Sequence, residues 1–341
     1  MKITALRACH PQCDSPPDWR TALGQILVAI DTDAGLTGYG VGGGGLSAVH
    51  IIRTVLRDLL VGKNIEPIES LWQAMYHATL PFGRKGVAIM ALSGVDLALW
   101  DLRGKAANRS VAHLLGGPIR VSVPGYTTVW EDIPECLIGN QSAFKLHLGK
   151  CEGDLESAVA AVARVRDRVP DSALMIDAWM KWNVPFTLRF AERVLPLRID
   201  WIEEPLPPDD LAGYAELMRT CPIPIAGGEH EFTALGFASI IEHRLHNIVQ
   251  PDVCWCGGMT ELVKIYQLAK QNGVRVCPHR GGEIWALPAL AALDPQPLAE
   301  SGRPWLTWVG GQPSIREGKI EVPGRPGFGV AINENALEMH A

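Results

Sequence analysis

Ala173-Leu174-Met175-Ile176-Asp177 is a short apolar run that ends in a carboxylate, and two later stretches repeat this arrangement. Ile199-Asp200-Trp201-Ile202 is followed by Glu203, and Ile223-Pro224-Ile225-Ala226-Gly227-Gly228 is followed by Glu229. The three acids are spaced at intervals of 26 residues, about the length of one strand, one helix and their loops. The sequence therefore predicts three successive βα units, each with an acid at the carboxyl end of its strand.

The same alternation continues on both sides of these units and predicts a parallel sheet. Helices are predicted between the strands, for example over Asp154–Arg168 and Thr260–Gln271. An eighth strand is less distinct, with candidates at Leu298-Ala299-Glu300 and at Trp305-Leu306-Thr307-Trp308. Seven strands are predicted near residues 121–129, 142–147, 173–178, 199–203, 223–228, 247–252 and 274–279. The fold class is thus α/β, a modified TIM (β/α) barrel.

The N-terminal part has a different pattern, typical of an α+β domain. Two runs near residues 26–30 and 36–41 flank Asp31-Thr32-Asp33-Ala34-Gly35 and predict a hairpin. Helical patterns follow at about 47–61, 68–78 and 86–106. We therefore predict an α+β capping domain at residues 1–118, the barrel at 119–317, and a segment at 318–341 that returns to the capping domain.

Composition favours small-molecule chemistry. A net charge of −6 without a dense Lys/Arg run predicts binding of neither nucleic acid nor an anionic membrane. There is no apolar stretch of the length that spans a bilayer. Eight scattered cysteines and the lack of an apolar leader predict a reduced, cytoplasmic setting.

Asp177, Glu203 and Glu229 are predicted to meet at the mouth of the barrel, because functional side chains of this fold follow the carboxyl ends of its strands. Any one of them alone is more simply an N-cap or an ion-pair partner. Three anions at one point repel each other unless a cation lies among them. Oxygen ligands favour a hard cation, so we predict a Mg²⁺ site, with Mn²⁺ as the weaker alternative.

The next two predicted strands add an acid and a base. Ile248-Val249-Gln250-Pro251 leads to Asp252, and Val274-Arg275-Val276-Cys277-Pro278 leads to His279. A carboxylate beside an imidazole fixes its tautomer and raises its basicity. His279 is therefore predicted to be a general acid/base, with Asp252 as its partner.

Several motifs together resemble the mandelate racemase subgroup of the enolase superfamily, over nearly the whole chain. They are Asp96-Leu97-Ala98-Leu99-Trp100-Asp101-Leu102, Trp201-Ile202-Glu203-Glu204-Pro205, Gln250-Pro251-Asp252 and Pro326-Gly327-Phe328-Gly329-Val330. Gly227-Gly228-Glu229-His230-Glu231 is most similar to acid-sugar dehydratases of the L-rhamnonate dehydratase type. The resemblance implies Mg²⁺ on Asp177, Glu203 and Glu229, and an Asp252–His279 catalytic dyad. It also implies substrate contacts from His230 and Glu300.

The predicted second barrel strand departs from this family. Many members have Lys-x-Lys there, whereas this chain has Lys145-Leu146-His147. Racemases that use a base on each face of the substrate depend on the second residue of that motif. Lys145 and His147 are both predicted as catalytic residues, and a two-base reaction depends on His147.

The resemblance implies removal of the C2 proton of a sugar acid through a Mg²⁺-stabilised enediolate. Loss of a C3 hydroxyl then gives a 2-keto-3-deoxy acid. A racemase, epimerase or cycloisomerase of the same superfamily is the alternative, and a non-catalytic metal-binding barrel is a third hypothesis. Specificity is expected in two lid loops, His10–Arg20, with His10 as a substrate contact, and Val41–Leu46. Families of this kind also predict a homo-oligomer.

Overall fold

The computed structural model describes residues 1–11, 24–116, 119–151, 153–303, 305–333 and 335. The chain begins with an antiparallel sheet in the order β1-β2-β3, which comprises β1 (Ile3–Cys9), β2 (Ile26–Thr32) and β3 (Thr37–Gly42). The β2–β3 pair is the hairpin that the sequence predicts. The sequence did not predict strand β1. Its buried residues Ile3, Leu6 and Ala8 do not follow the period of two that marks a strand.

Helices cover this sheet. A single-turn π-helix, Ile52–Leu56, joins the first two helices. The longest helix, α4, packs most of its length against β2 and β3, and glycines on β3 make this approach close: a Cβ on Gly40 would lie 2.0 Å from the carbonyl oxygen of Gly94. The helices are α1 (Gly45–Ile51), α2 (Arg57–Leu60), α3 (Ile68–Thr79), α4 (Val87–Ala106) and α5 (Val111–Leu115).

Eight short parallel strands follow, and each pairs with its neighbour from β4 to β10. The eighth, β11, pairs in parallel with β4, so the ends of the series meet as in a barrel. Of the two candidates for this strand, Leu298-Ala299-Glu300 is the one that contains it. The strands are β4 (Ser122–Val129), β5 (Ala143–His147), β6 (Ala173–Asp177), β7 (Ile202–Glu203), β8 (Ile225–Gly227), β9 (Ile248–Val249), β10 (Arg275–Val276) and β11 (Ala299–Glu300).

Helices alternate with these strands, except between β4 and β5, where a 3₁₀ turn at Glu135–Leu137 takes the place of an α-helix. Three of the helices begin at a polar N-cap: the side chains of Asp154, Asn183 and Asp210 each accept a backbone N–H three residues further on. A second 3₁₀ turn, Leu195–Leu197, follows α7. The helices are α6 (Leu155–Arg168), α7 (Val184–Val194), α8 (Leu211–Thr220), α9 (Thr233–Glu242), α10 (Gly258–Asn272) and α11 (Leu287–Leu293).

The pleat of the strands decides which side chains reach the barrel interior. On β5, Phe144 and Leu146 belong to the apolar layer between strands and helices, while Lys145 and His147 lie on the opposite face. The lower interior of the barrel is filled by Tyr126, Met175, Trp201, Ala226, Ile248 and Cys277, all buried. Burial of a large apolar side chain stabilises the fold by about 1.5–3 kcal/mol. These apolar side chains fill one end of the barrel interior, and the polar residues at the carboxyl ends of the strands lie together at the other end.

Polar contacts also join the N-terminal helices to the barrel. Asp96, fully buried on α4, accepts the Thr260 backbone N–H at 2.9 Å and its hydroxyl at 2.5 Å, at the start of α10. Gly258 is required beside it, because its φ is +85° and a Cβ there would lie 2.4 Å from Asp96 Oδ2. Burial, opposed by the bonds from Thr260, raises the pKa of Asp96 to about 7.

Asp96→Ala is expected to lower the free energy of unfolding by about 1–3 kcal/mol, because it leaves the buried donors of Thr260 unpaired. Urea denaturation followed by circular dichroism measures this change. Asp58→Ala removes a carboxylate that is 70% exposed on α2 and is the matched control, with no measurable change expected. A loss no larger than that of the control would contradict a role for Asp96 in this junction.

The C-terminal segment contacts both parts of the chain. Strand β14 (Lys319–Glu321) pairs antiparallel with barrel strand β4 and with β13 (Ile315–Arg316). The turn that follows reaches α4, where the Phe328 backbone N–H donates to Asp101 Oδ1 at 2.9 Å. β12 (Val309–Gly310) pairs with β15 (Ala331–Ile332). The predicted boundary at residue 118 and the residues after 335 lie outside the described part of the chain.

Candidate active site

The carboxyl ends of the barrel strands carry a cluster of buried charged groups. Asp177 ends β6, Glu203 ends β7 and is its register partner, and Glu229 follows β8 by two residues. None of these side chains is more than 9% exposed. Parallel pairing in register thus brings the three predicted metal ligands to one end of the barrel.

Lys145 lies at the centre of this cluster. Its ammonium nitrogen is 2.5 Å from Glu203 Oε1, 3.1 Å from Glu300 Oε1 and 3.7 Å from Asp177 Oδ2. Burial by itself lowers the pKa of Lys145, but these carboxylates raise it well above its ordinary value. Lys145 therefore remains charged although its side chain is only 1% exposed.

The acids around Lys145 differ in their electrostatics. Burial and the charge of Glu203 raise the pKa of Asp177 well above its ordinary value. The pKa of Glu203 is raised by burial as well, against the opposing effect of Lys145. For Glu300, by contrast, Lys145 and Arg280 overcome burial and hold the pKa well below its usual range. The site thus holds more buried negative charge than one ammonium balances.

Glu300 is held from two sides. The Thr128 hydroxyl donates to Glu300 Oε1, and the Arg280 backbone N–H donates to Oε2 at 3.0 Å. Arg280 has a φ of +52°, a left-handed conformation that is unfavourable for a residue with a side chain. The backbone at Arg280 thus aims its N–H at the Glu300 carboxylate.

Asp252 and His279 form the hydrogen-bonded pair that the sequence predicts. His279 Nδ1 lies 2.8 Å from Asp252 Oδ2, and Nε2 lies 3.0 Å from Glu229 Oε2. Burial alone would raise the pKa of Asp252, but Arg303 and His279 lower it to about 2. Asp252 is therefore an anion that accepts a hydrogen bond from His279 Nδ1, which leaves Nε2 directed at the carboxylate cluster.

His147 is the other imidazole at the mouth, and it ends β5 beside Asp177. Its Nδ1 lies 3.2 Å from the Gly149 backbone nitrogen, whose N–H it accepts, and its Nε2 is 3.8 Å from Asp177 Oδ2. The ring stacks on Trp130 with centroids 3.9 Å apart. Burial, then Lys145 and Arg280, lower the pKa of His147 to about 4, so the ring is neutral near pH 7.

His230 is paired with a residue that sequence reasoning passed over. Its Nδ1 lies 2.7 Å from Glu204 Oε2, and Glu204 is 2% exposed. Burial lowers the pKa of His230, but the bond to Glu204 and the charge of Glu229 raise it to about 9. Glu204 follows Glu203 directly with a φ of +38°, which interrupts the strand alternation there.

Most of these groups line a cavity of about 330 Å³, and four tryptophans also contribute to its walls. A larger groove of about 590 Å³ lies near Tyr76 and α9, but none of the strand-end charges faces it. The smaller cavity is therefore the candidate active site. Its aromatic walls are Trp130, Trp179, Trp255 and Trp305, and its charged or polar lining includes Lys145, His147, Asp177, Glu229, His230, His279, Arg280, Glu300 and Arg303.

Neither of the two predicted lid loops is seen as an exposed lid in the described part of the chain. Residues 12–20 of the first loop lie outside the described part of the chain, and His10, which is half-buried, is not among the described residues that line the cavity. In the second loop, Gly42 to Gly45 are buried. A Cβ on Gly43 would lie 2.8 Å from the indole nitrogen of Trp255. These glycines therefore permit close packing and are not an exposed lid.

Two family models match the chain and account for both parts of it. Residues 20–116 match the mandelate racemase / muconate lactonizing enzyme N-terminal domain. Residues 139–336 match the enolase C-terminal domain-like family. The chain belongs to the enolase superfamily. Its capping-domain and barrel architecture is the fold of this superfamily, as the sequence predicts.

Relatives of this enolase-superfamily chain include dehydratases and a racemase. It is 36% identical to L-rhamnonate dehydratase from Saccharopolyspora erythraea, over 91% of this chain and 84% of that protein. A racemase from Streptomyces coelicolor A3(2) with bound magnesium has a TM-score of 0.89 and 30% identity, over 98% of this chain and 99% of that one. Rhamnonate dehydratase from Gibberella zeae complexed with Mg has a TM-score of 0.88 and 29% identity, over 98% of this chain and 95% of that one.

The donor set of the cavity fits the Mg²⁺ that members of this superfamily use. Among the described residues, one group of three ligand atoms lies within 4.8 Å of one another, and it consists of Glu204, Glu229 and His230. His230 is a nitrogen donor that already pairs with Glu204, whereas Mg²⁺ prefers oxygen. The buried oxygens of Asp177, Glu203 and Glu229 suit it better, and their excess negative charge calls for a cation.

Arg303 and Glu283 are further charged residues that the sequence did not reveal. Arg303, in the loop after β11, donates through Nη2 to Asp252 Oδ2 and through Nη1 to Glu283 Oε2 at 2.8 Å. Both side chains are no more than 2% exposed. A single arginine beyond a two-residue strand gives no periodic signal, so no sequence pattern could have found it.

Proposed function

We propose that the chain is a Mg²⁺-dependent dehydratase of a sugar acid, which removes the C2 proton and the C3 hydroxyl to give a 2-keto-3-deoxy acid. The observation that carries this proposal is the buried Asp252–His279 pair, with Nε2 of the imidazole 3.0 Å from Glu229. A base is thus held against a carboxylate cluster suited to a divalent cation. The dehydratases among the relatives support the same reaction class.

In this proposal Asp177, Glu203 and Glu229 hold Mg²⁺. When bound, Mg²⁺ supplies Lewis-acid stabilisation of the negative charge that develops on the substrate carboxylate. Lys145 orients that carboxylate by donating hydrogen bonds to its oxygens, and Glu300, 3.1 Å from the ammonium nitrogen, holds Lys145 in place. Because Glu203 and Glu300 already hold the Lys145 ammonium, it needs no reorganisation when charge develops during proton removal.

His279 performs both proton transfers. Nε2 takes the C2 proton, while Asp252 accepts the Nδ1–H bond and stabilises the imidazolium. The imidazolium then gives this proton to the C3 hydroxyl, which leaves as water. The remaining enol takes one proton from solvent at C3, releases its C2 hydroxyl proton to solvent and becomes the 2-keto acid. One base on one face of the substrate is sufficient.

The state of His147 supports this reaction over the alternative, a racemase or epimerase with two bases. Because Nδ1 of the neutral ring accepts the Gly149 N–H, its proton resides on Nε2, which faces the cavity. His147 is therefore a hydrogen-bond donor toward substrate and lacks the free lone pair that a second base needs. This arrangement favours dehydration.

Other roles follow from the cavity walls. We infer that His230 contacts the polyol chain of the substrate, because it lines the cavity while its Nδ1 is held by Glu204. A contact from His10 stays a prediction, as do a cytoplasmic setting and a homo-oligomeric assembly. No helix in the described part of the chain has the length and apolar character of a membrane span.

A panel of aldonates and aldarates incubated with the protein and Mg²⁺ tests the proposal, with 2-keto acid formation as the readout. The panel includes 6-deoxy sugar acids such as L-rhamnonate, which the Saccharopolyspora erythraea relative is named for. We expect turnover of at least one sugar acid in the panel. Loss of all turnover in EDTA and its return with Mg²⁺ is the control. Failure to convert any member of the panel would favour a non-catalytic barrel.

A further inference from the structure

The catalytic dyad is part of a longer chain of buried charges. Asp252 follows β9, His279 and Glu283 follow β10, and Arg303 follows β11, so three adjacent strand ends contribute to it. Arg303 contacts Asp252 through Nη2 and Glu283 through Nη1, and its backbone N–H also donates to Glu283 Oε1 at 3.1 Å. Glu283 thus holds both the backbone and the side chain of Arg303.

Asp252 is fixed at both of its oxygens. Oδ1 accepts the Cys254 backbone N–H at 2.7 Å, and Oδ2 is shared between His279 Nδ1 and the Arg303 guanidinium. A carboxylate held at both oxygens cannot rotate, so the plane in which it receives the imidazole is set. Arg303 is further held over the Trp255 ring, 5.3 Å from its centroid.

Glu283 sets the net charge beside the Asp252–His279 pair. Arg303 alone beside Asp252 would neutralise the carboxylate that has to stabilise the imidazolium. Because Glu283 pairs with the same guanidinium, Asp252, Arg303 and Glu283 together carry a net charge of −1, which remains to stabilise a charged His279. The Cys254 thiol also lies near Glu283, 3.8 Å from Oε2.

We propose that Arg303 and Glu283 are positioning residues for the proposed proton transfer: they hold the Asp252 carboxylate, and through it the ring of His279. The inference rests on the proposed function. Arg303 also lines the cavity, so a direct contact with substrate is the competing role. The two roles differ in kinetics, because a contact made equally before and during reaction changes KM, whereas misplacement of the base changes kcat.

The test uses Arg303→Met, Arg303→Lys and Glu283→Gln in the full chain with Mg²⁺. We expect Arg303→Met to lower kcat by about 10- to 100-fold, the usual cost of losing a group that orients a catalytic residue, with KM within about twofold. Arg303→Lys keeps one charged donor and should recover part of that loss. Glu283→Gln should lower kcat in the same direction but by less, because the amide still accepts from Arg303.

Arg166→Met is the matched control. Arg166 is another buried arginine, on α6. Among the described residues its hydrogen bonds go only to backbone carbonyls before β6 and after α7, at the opposite end of the barrel from the site. We expect it to lower thermal stability while kcat of the folded protein stays unchanged. If Arg303→Met behaves like Arg166→Met, Arg303 is merely structural and the proposal is overturned.

A readout without turnover separates this inference from the proposed function. In protein labelled with ¹⁵N-histidine, the ring signals of His279 are assigned by their loss in His279→Asn. We expect Arg303→Met to shift them and Arg166→Met to leave them unchanged. A raised KM with unchanged kcat, or an unshifted His279 signal, would contradict the positioning role. If the wild type converts no sugar acid, the proposed function fails and the ¹⁵N shifts still decide the inference.

Discussion

His279→Asn is expected to lower kcat for sugar-acid dehydration by a factor of about 10² to 10⁴, the range typical of a general acid/base. Asparagine keeps a side-chain N–H that Asp252 accepts, but it has no nitrogen that takes up the C2 proton. The loss should therefore fall on kcat, because the groups proposed to bind the substrate carboxylate are unchanged. Initial rates of 2-keto acid formation, with saturating Mg²⁺, measure it.

His243→Asn is the matched control for this substitution. His243 is exposed at the end of α9, and its Nδ1 contacts the Ser239 carbonyl oxygen of the same helix at 2.9 Å. It should retain wild-type kcat and KM. Comparable activity in His279→Asn and His243→Asn would remove His279 from the reaction.

Glu203→Gln is expected to lower kcat/KM by roughly 10²- to 10³-fold, corresponding to the several kcal/mol that a bound metal ion contributes. Gln250 Nε2 donates to Glu203 Oε2 at 2.7 Å and Lys145 to Oε1 at 2.5 Å. The amide of glutamine removes the negative charge that holds the metal, and its single oxygen accepts from only one of these two donors. Titration with Mg²⁺ by isothermal calorimetry, beside activity, separates lost metal affinity from lost catalysis.

Glu192→Gln makes the same chemical change on the exposed side of α7 and should affect neither Mg²⁺ affinity nor rate. Chelation should reproduce the loss of activity in the wild type, and added Mg²⁺ should reverse it. Wild-type metal affinity and activity in Glu203→Gln would exclude Glu203 from the metal site, and the Glu204, Glu229 and His230 group would become the alternative.

Those parts of the fold that depend on a regular period could be predicted from sequence. Each βα unit places its acid about 26 residues after the last, so Asp177, Glu203 and Glu229 could be assigned to neighbouring strand ends. The parallel register then brings Asp177 and Glu203 side by side. The same reasoning predicted the contact between Asp252 and His279, which are 2.8 Å apart.

Other features depend on irregular backbone and on contacts distant in sequence. Glu204 reaches the same end as Glu203 only because its φ of +38° interrupts the alternation of the strand. Arg303 follows a strand of two residues that has no apolar period. The glycines at 42–45 carry no side chain, so their sequence could not show that Gly43 packs against Trp255. In each case tertiary packing determined the outcome.

Dehydration with His279 as the single base is tested by following the reaction of an active sugar acid in D₂O by ¹H NMR, with Mg²⁺ present. We expect a 2-keto-3-deoxy acid with one deuterium at C3, and loss of this product in His279→Asn. Exchange of the C2 proton for deuterium with inversion at C2 and no 2-keto acid would contradict it, and would identify His147 as the second base of an epimerase.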